Sequence, residues 1–166
     1  MKFSELLRPE DIRQGVSFSS KKRLFESIST LITERLQCDK AEQACFECLF
    51  NREKLGNSGL GNGVAMPKAK LPEGTITKAF AVFMQLDMPI EYDAPDGKAV
   101  DLIFAVFVPD NQCQIYIPVL SKLTEKLTDK NFAKQLRSAQ SADEIWQVFE
   151  IADQTEETDS SAENDI

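Results

Sequence analysis

The chain has 166 residues, 42% of them apolar and 28% charged, the makings of a single globule with one core. Its net charge of −8 comes from 19 basic and 27 acidic residues, but residues 150–166 hold seven of the acids and no Lys or Arg. The rest is therefore nearly neutral, and neither part offers the basic stripe that a nucleic-acid backbone requires. The chain also lacks histidine. That removes Ser-His-Asp and Cys-His nucleophiles, imidazole general bases, His-containing zinc sites and phosphohistidine together.

Met1-Lys2-Phe3-Ser4-Glu5 is not followed by an apolar leader segment, and the longest apolar stretch, 102–108, is only a strand's length. A cytoplasmic protein with reduced cysteines and no membrane insertion is expected. Residues 1–18 read as a lead-in, with Phe3, Leu6, Leu7, Ile12, Val16 and Phe18 available to pack. Ser19-Ser20 offers an N-cap for a helix to about Gln37, and its apolar face carries Leu24, Phe25, Ile28, Leu31, Ile32 and Leu36. Asp39 and Glu42 form a capping-box pattern opening a second helix to about Lys54, with Ala44, Cys45, Cys48 and Leu49 on its apolar face. Cys45-x-x-Cys48 lies inside that helical pattern with no strand before it, so the pair reads as packing and no metal site is expected.

Between Gly56 and Gly63 stand four glycines with Asn57, Ser58 and Asn62, a composition that predicts no regular structure. Val64-Ala65-Met66 is a short apolar run closed by Pro67. The segments 78–86 and 100–108 are the best strand candidates. Pro89, Pro95 and Asp96-Gly97 mark turns between them, with 90–92 as a candidate short strand. Helical patterns return at 116–126, 131–138 and 142–150, the last behind a Ser141/Glu144 capping box. From Gln154 the chain is polar, acidic and aperiodic, as a disordered tail would be. Helices, then strands, then helices predict an α/β fold in which a mixed β-sheet is flanked by helices. The expected division is a single domain over 1–152 and an acidic tail over 153–166.

Gly59-Leu60-Gly61-Asn62-Gly63 invites a phosphate-cradling reading, because glycine lets backbone amides crowd an anion. Yet nucleotide loops run strand, glycines, helix, whereas here the order is helix, glycines, strand, and no Gly-Lys-Ser/Thr follows. Two readings stay open: a tight connection with left-handed residues, or a shallow anion nest beside Arg52.

Arg52-Glu53-Lys54, followed by Gly56-Asn57-Ser58-Gly59-Leu60-Gly61-Asn62-Gly63-Val64-Ala65-Met66-Pro67, resembles the signature of enzyme IIA domains of the mannitol/fructose type. These domains belong to the bacterial phosphoenolpyruvate-dependent phosphotransferase system, and the likeness is nearest to its nitrogen-regulatory branch. It continues through Gln85-Leu86-Asp87-Met88-Pro89-Ile90, the run 99–105, Val108-Pro109 and the run 136–141, covering roughly residues 4–150. The resemblance implies a cytoplasmic regulatory protein. It places the family's active-site Arg and Glu at Arg52 and Glu53, and its loop at Ser58, Gly61, Asn62, Gly63 and Pro67. The family's phosphoacceptor histidine would follow the proline, where this chain has Lys68; the second active-site histidine corresponds to Tyr116, and a further one to Pro118.

Neutral imidazole accepts and releases a phosphoryl group near pH 7. A lysine, with an unperturbed pKa of about 10.4, is protonated and non-nucleophilic there. The expected function is thus a regulatory docking module without a phosphohistidine and without cofactor. Its implied partners are proteins: a nitrogen-branch HPr-like carrier, transporters or sensor proteins. The alternatives are a sensor that binds an anion or phosphometabolite, and a phosphocarrier using another residue, such as an activated Lys68 or Ser58. Pro118 is expected in a helix's first turn, where its missing N–H costs nothing.

Overall fold

The computed structural model describes residues 2–37 and 40–164, the side chains of 40, 41 and 156–164 excepted. Asp39, the expected cap of the second helix, and Cys38 lie outside the described residues. Chain order is β1 (Leu7–Val16), α1 (Lys21–Leu36), α2 (Lys40–Leu55), β2 (Gly59–Gly61), β3 (Val64–Ala65), β4 (Lys68–Leu71), β5 (Phe80–Ile90), β6 (Val100–Pro109), α3 (Cys113–Leu127), α4 (Lys130–Ser138) and α5 (Ala142–Asn164).

The sheet grows from β5 and β6, whose apolar runs pair antiparallel with Val82 opposite Ala105 and Met84 opposite Ile103. Both strands are buried on both faces along most of their length, which is why they read as continuous apolar segments rather than alternating ones. β1 joins β5 in parallel, β3 and β4 join β6 in parallel, and β2 folds antiparallel onto β3. In the described residues this makes one mixed six-stranded sheet. Because strand side chains alternate between faces, the sheet divides the core in two. Val82, Met84, Ile103 and Ala105 meet α1 and α2 through Leu24, Phe25, Ile28 and Leu49. Ala81, Phe83, Leu102 and Phe104 meet α3, α4 and α5 through Leu123, Leu136, Ile145 and Phe149.

The helix starts follow their caps. Ser20 accepts the Arg23 amide at the head of α1, and Asp129 accepts that of Phe132 at the head of α4. At α5, Ser141 accepts from Glu144 N while Glu144 accepts from Gln140 N, a capping interaction of the kind predicted. Gln85, buried on β5, donates to the carbonyls of Leu136 and Ala139, satisfying the C-terminal end of α4 from the sheet.

Five expectations need correction. The lead-in is not loose chain: Leu7–Val16 is an edge strand, hidden in the sequence because Arg8, Pro9, Glu10 and Gly15 interrupt its apolar alternation. The glycine segment contains a strand, since Gly59–Gly61 pairs with β3 across an Asn62-Gly63 turn with φ of 56° and 82°. Both central residues are left-handed, as a two-residue hairpin of type I′ demands. Residues 90–92 are no separate strand, because Ile90 ends β5. Pro118 is the sixth residue of α3, beyond the first turn, since that helix begins at Cys113. Finally, α5 runs past the predicted end at Glu150 to Asn164. Asp153, assigned by composition to the tail, is buried and accepts from the amides of Phe3 (2.7 Å) and Ser4 (3.1 Å).

Candidate functional site

The last turn of α2 carries Arg52 and Glu53 toward the glycine segment. Glu53 is a builder of that segment. Its carboxylate, with the side chain only 8% exposed, accepts from Lys21 Nζ at 2.6 Å and from the Ser58 amide at 2.9 Å. Lys21 in turn lies 4.0 Å from the centre of the Tyr92 ring. Tyr92 is buried, and desolvation together with the Glu53 charge pushes its phenol far above the ordinary tyrosine range. Its hydroxyl shares a 2.6 Å hydrogen bond with Ser58 Oγ. Asn57 closes the turn, accepting from Gly59 N at 2.8 Å and donating to the carbonyls of Tyr92 and Asp93.

The hairpin tip is held from the other side. Asn62 N donates to Asp96 at 2.9 Å, and the Asn62 carbonyl accepts from Arg137, whose guanidinium also grips Asp101. A Cβ on Gly63 would stand 2.5 Å from Arg137 Nη2 and 2.9 Å from Asp101 Oδ1. Gly63 is therefore required both by its positive φ and by this close approach. The amides of Ser58, Gly59 and Asn62 are thus already donated within the protein. The loop is a tight connection in which these three amides are committed rather than free to cradle an anion.

The cations are differently placed. Lys68 opens β4 opposite Val106, directly after Pro67, whose carbonyl accepts the Val106 amide. It is half-buried, and its ammonium pKa is lowered, first by burial and then by the charge of Arg52. Arg52 is exposed and donates to the Gly56 carbonyl at 3.3 Å. Among the described residues neither cation has an acidic partner. Both line a cavity of about 590 Å³ between α2 and α3, and both also line a smaller one of about 80 Å³ with Asn57 and Ser58.

The sequence-derived set therefore divides. Arg52, Ser58 and Lys68 come together; Glu53 supports them from behind; Gly61, Asn62 and Gly63 shape the hairpin, and Pro67 leads into β4. Tyr116 is not brought to this opening. Its hydroxyl accepts the Ala79 amide at 3.3 Å and its ring packs against the core beneath α3, α4 and α5. Sequence reasoning missed the apolar wall of the larger cavity: Leu55, Val108, Ile117 and Leu120. One signal was available, since Leu55 and Ile117 are 84% and 55% exposed at helix positions off the core-facing stripe. Among the described residues no group of three or more Cys, Asp or Glu could hold a metal ion. None of their helices is long and apolar enough to cross a membrane.

This fold and loop define an enzyme IIA domain of the second type. Residues 5–151 match the family described as "Phosphoenolpyruvate-dependent sugar phosphotransferase system, EIIA 2", and the chain belongs to it. The nitrogen regulatory protein homolog of Haemophilus influenzae is 73% identical over 158 residues, covering 95% of this chain and 96% of that protein. The nitrogen regulatory protein of Escherichia coli is 41% identical, covering 90% of each. The crystal structure of nitrogen regulatory protein IIA-Ntr from Neisseria meningitidis superposes with a TM-score of 0.79 at 38% identity, covering 87% of this chain and 97% of that one.

Proposed function

We propose that this chain is a cytoplasmic regulatory docking module of the nitrogen-regulatory kind, one that carries no phosphoryl group on histidine. The observation that carries the reading is the opening beside β4. The residue after Pro67 is a lysine in a chain without histidine, and beside it stand Arg52, which like Lys68 has no acidic partner among the described residues, and outward-facing Leu55 and Ile117. Exposed apolar side chains beside positive charges suit a protein partner whose surface is apolar and acidic. Lys68 adds positive charge where phosphorylation would add negative charge, so the face is fixed in a state unlike a phosphorylated one. The partners are other proteins of the regulatory system, whether an HPr-like carrier, a transporter or a sensor protein.

Two measurements test this. Incubation with phosphoenolpyruvate, enzyme I and the nitrogen-branch HPr-like carrier should leave the chain unlabelled. Acid-labile label that disappears in Lys68→Ala would instead make it a phosphocarrier. In affinity capture from its own cell extract, proteins held by the wild type should be lost from Leu55→Asp/Ile117→Asp. Equal retention by that variant, or by an unrelated acidic protein, would end the docking reading.

A further inference from the structure

The two cavities meet at a pair of cations, and their linings differ in chemistry. The smaller holds Asn57 and Ser58 beside Arg52 and Lys68, above a floor of Leu60 and Met66. The larger is walled by Leu55, Val108, Ile117 and Leu120. Its volume of about 590 Å³ lies within the range of small-molecule sites, roughly 300–1,000 Å³. Two positive groups held together, one half-buried, with no carboxylate neutralising either among the described residues, favour an anionic guest. The amides of Ser58 and Gly59 beside it are already donated, so Arg52 and Lys68 supply the charge. The adjoining apolar wall favours a guest that is more than an anion.

We propose that the groove between α2 and α3 binds a small amphipathic phosphomonoester, its phosphate between Arg52 and Lys68 and its apolar body against Leu55, Val108, Ile117 and Leu120. A phosphomonoester carries close to two negative charges above a second pKa of about 6, matching two cations. Bidentate bonding is available from the guanidinium and a point charge from the ammonium. The ligand would occupy the face through which we propose that partners dock, so binding would compete with docking. The ligand reading does not depend on docking, however.

The test uses calorimetry of the full chain with octyl phosphate, inorganic phosphate and 1-octanol as probes. Octyl phosphate should bind at least roughly tenfold more tightly than either fragment, as expected when head and body each contribute more than about 1.4 kcal/mol. Lys68→Met and Arg52→Met should each weaken it roughly tenfold or more, and Ile117→Ser should weaken it as well. Lys98→Met, on the hairpin side, should bind like the wild type, with thermal melts confirming that all variants are folded. Nitrogen-detected NMR should show the Lys68 ammonium pKa rising as octyl phosphate binds, because an adjacent anion favours the charged form.

Equal affinity for inorganic phosphate would reduce the site to a bare anion site and overturn the proposal. Equal affinity for octanol, or no binding by octyl phosphate, would overturn it too. Co-sedimentation with phosphatidic-acid vesicles, without binding of soluble octyl phosphate, would reassign the groove to a lipid surface. Equal capture by the wild type and Leu55→Asp/Ile117→Asp, with octyl phosphate binding intact in the wild type, would end the docking reading and leave this one standing.

Discussion

Replacing Glu53 by Gln keeps the shape of the side chain and removes the charge that holds the glycine segment to α1. In the wild type that carboxylate is 8% exposed and the Lys21 side chain 22%, with 2.6 Å between them. Breaking a fully buried pair costs about 3–5 kcal/mol, whereas an exposed pair is worth about 0–1 kcal/mol. Lys21 keeps some solvent, a carbonyl contact at Tyr92 and its place over the Tyr92 ring, so an intermediate loss of about 2 kcal/mol is expected. For a domain of this size that corresponds to a fall in Tm of about 4–8 °C. Urea and thermal unfolding at neutral pH would measure it, alongside Lys21→Met and the double variant. Because the Lys21→Met background has no ammonium left to strand, Glu53→Gln should cost about 1 kcal/mol less there than in the wild type. A change within about 0.5 kcal/mol for Glu53→Gln alone, or strict additivity in the cycle, would refute the role given to this pair.

Gly63→Ala should lose about 1–3 kcal/mol, since φ is positive there and the new methyl meets Arg137 and Asp101; thermal melts report it. Asp153→Ala leaves the Phe3 and Ser4 amides without their acceptor and should cost about 2–3 kcal/mol in urea unfolding. A neutral result would place Asp153 outside the folded unit. Lys68→Met should raise Tm at pH 7. The folded-state pKa of Lys68 lies below its unfolded value, so the unfolded chain binds the extra proton between the two, and wild-type stability rises with pH through that window. The advantage of Lys68→Met should therefore shrink as melts are repeated toward alkaline pH. Cys45 is buried and its thiol is pushed up to about 12, chiefly by desolvation. It should resist alkylation at pH 8 in the native protein, and mass spectrometry should find Cys113 modified before Cys45.

The strands that could be read in the sequence are those for which burial demands a continuous apolar run, β5 and β6. The helices could be read where a cap precedes an apolar stripe, as at Ser20 and Ser141. β1 was hidden because an edge strand needs only Leu7, Asp11 and Ile12 turned inward, and the charges between them erase the period. β4 is four residues, Lys-Ala-Lys-Leu, too short for alternation to register beside a proline. At the site, Arg52 and Lys68 could be found from the loop motif, since chain proximity alone nearly places them. Tyr116 could not be placed that way. Position along α3 fixes neither its rotamer nor its partner, and its hydroxyl goes to the Ala79 amide instead. The apolar wall lies on α2, β6 and α3, three elements distant in sequence, so only their packing reveals it.

The bond between Asp153 and the amides of Phe3 and Ser4 spans 150 positions, and the Phe3 ring packs against Phe132 and Phe149 within 5.5 Å between centroids. During synthesis Phe3 and Ser4 are thus made long before some of their partners. Leu6 and Leu7 meet β5 and the Phe3 ring meets Phe104 first, but Phe3 gains its contacts with Phe132 and Phe149 only once α4 and α5 are made. The cluster around Phe3 is thus completed by α5, so a chain cut short before α5 would leave one side of it exposed, a ready handle for chaperones and proteases.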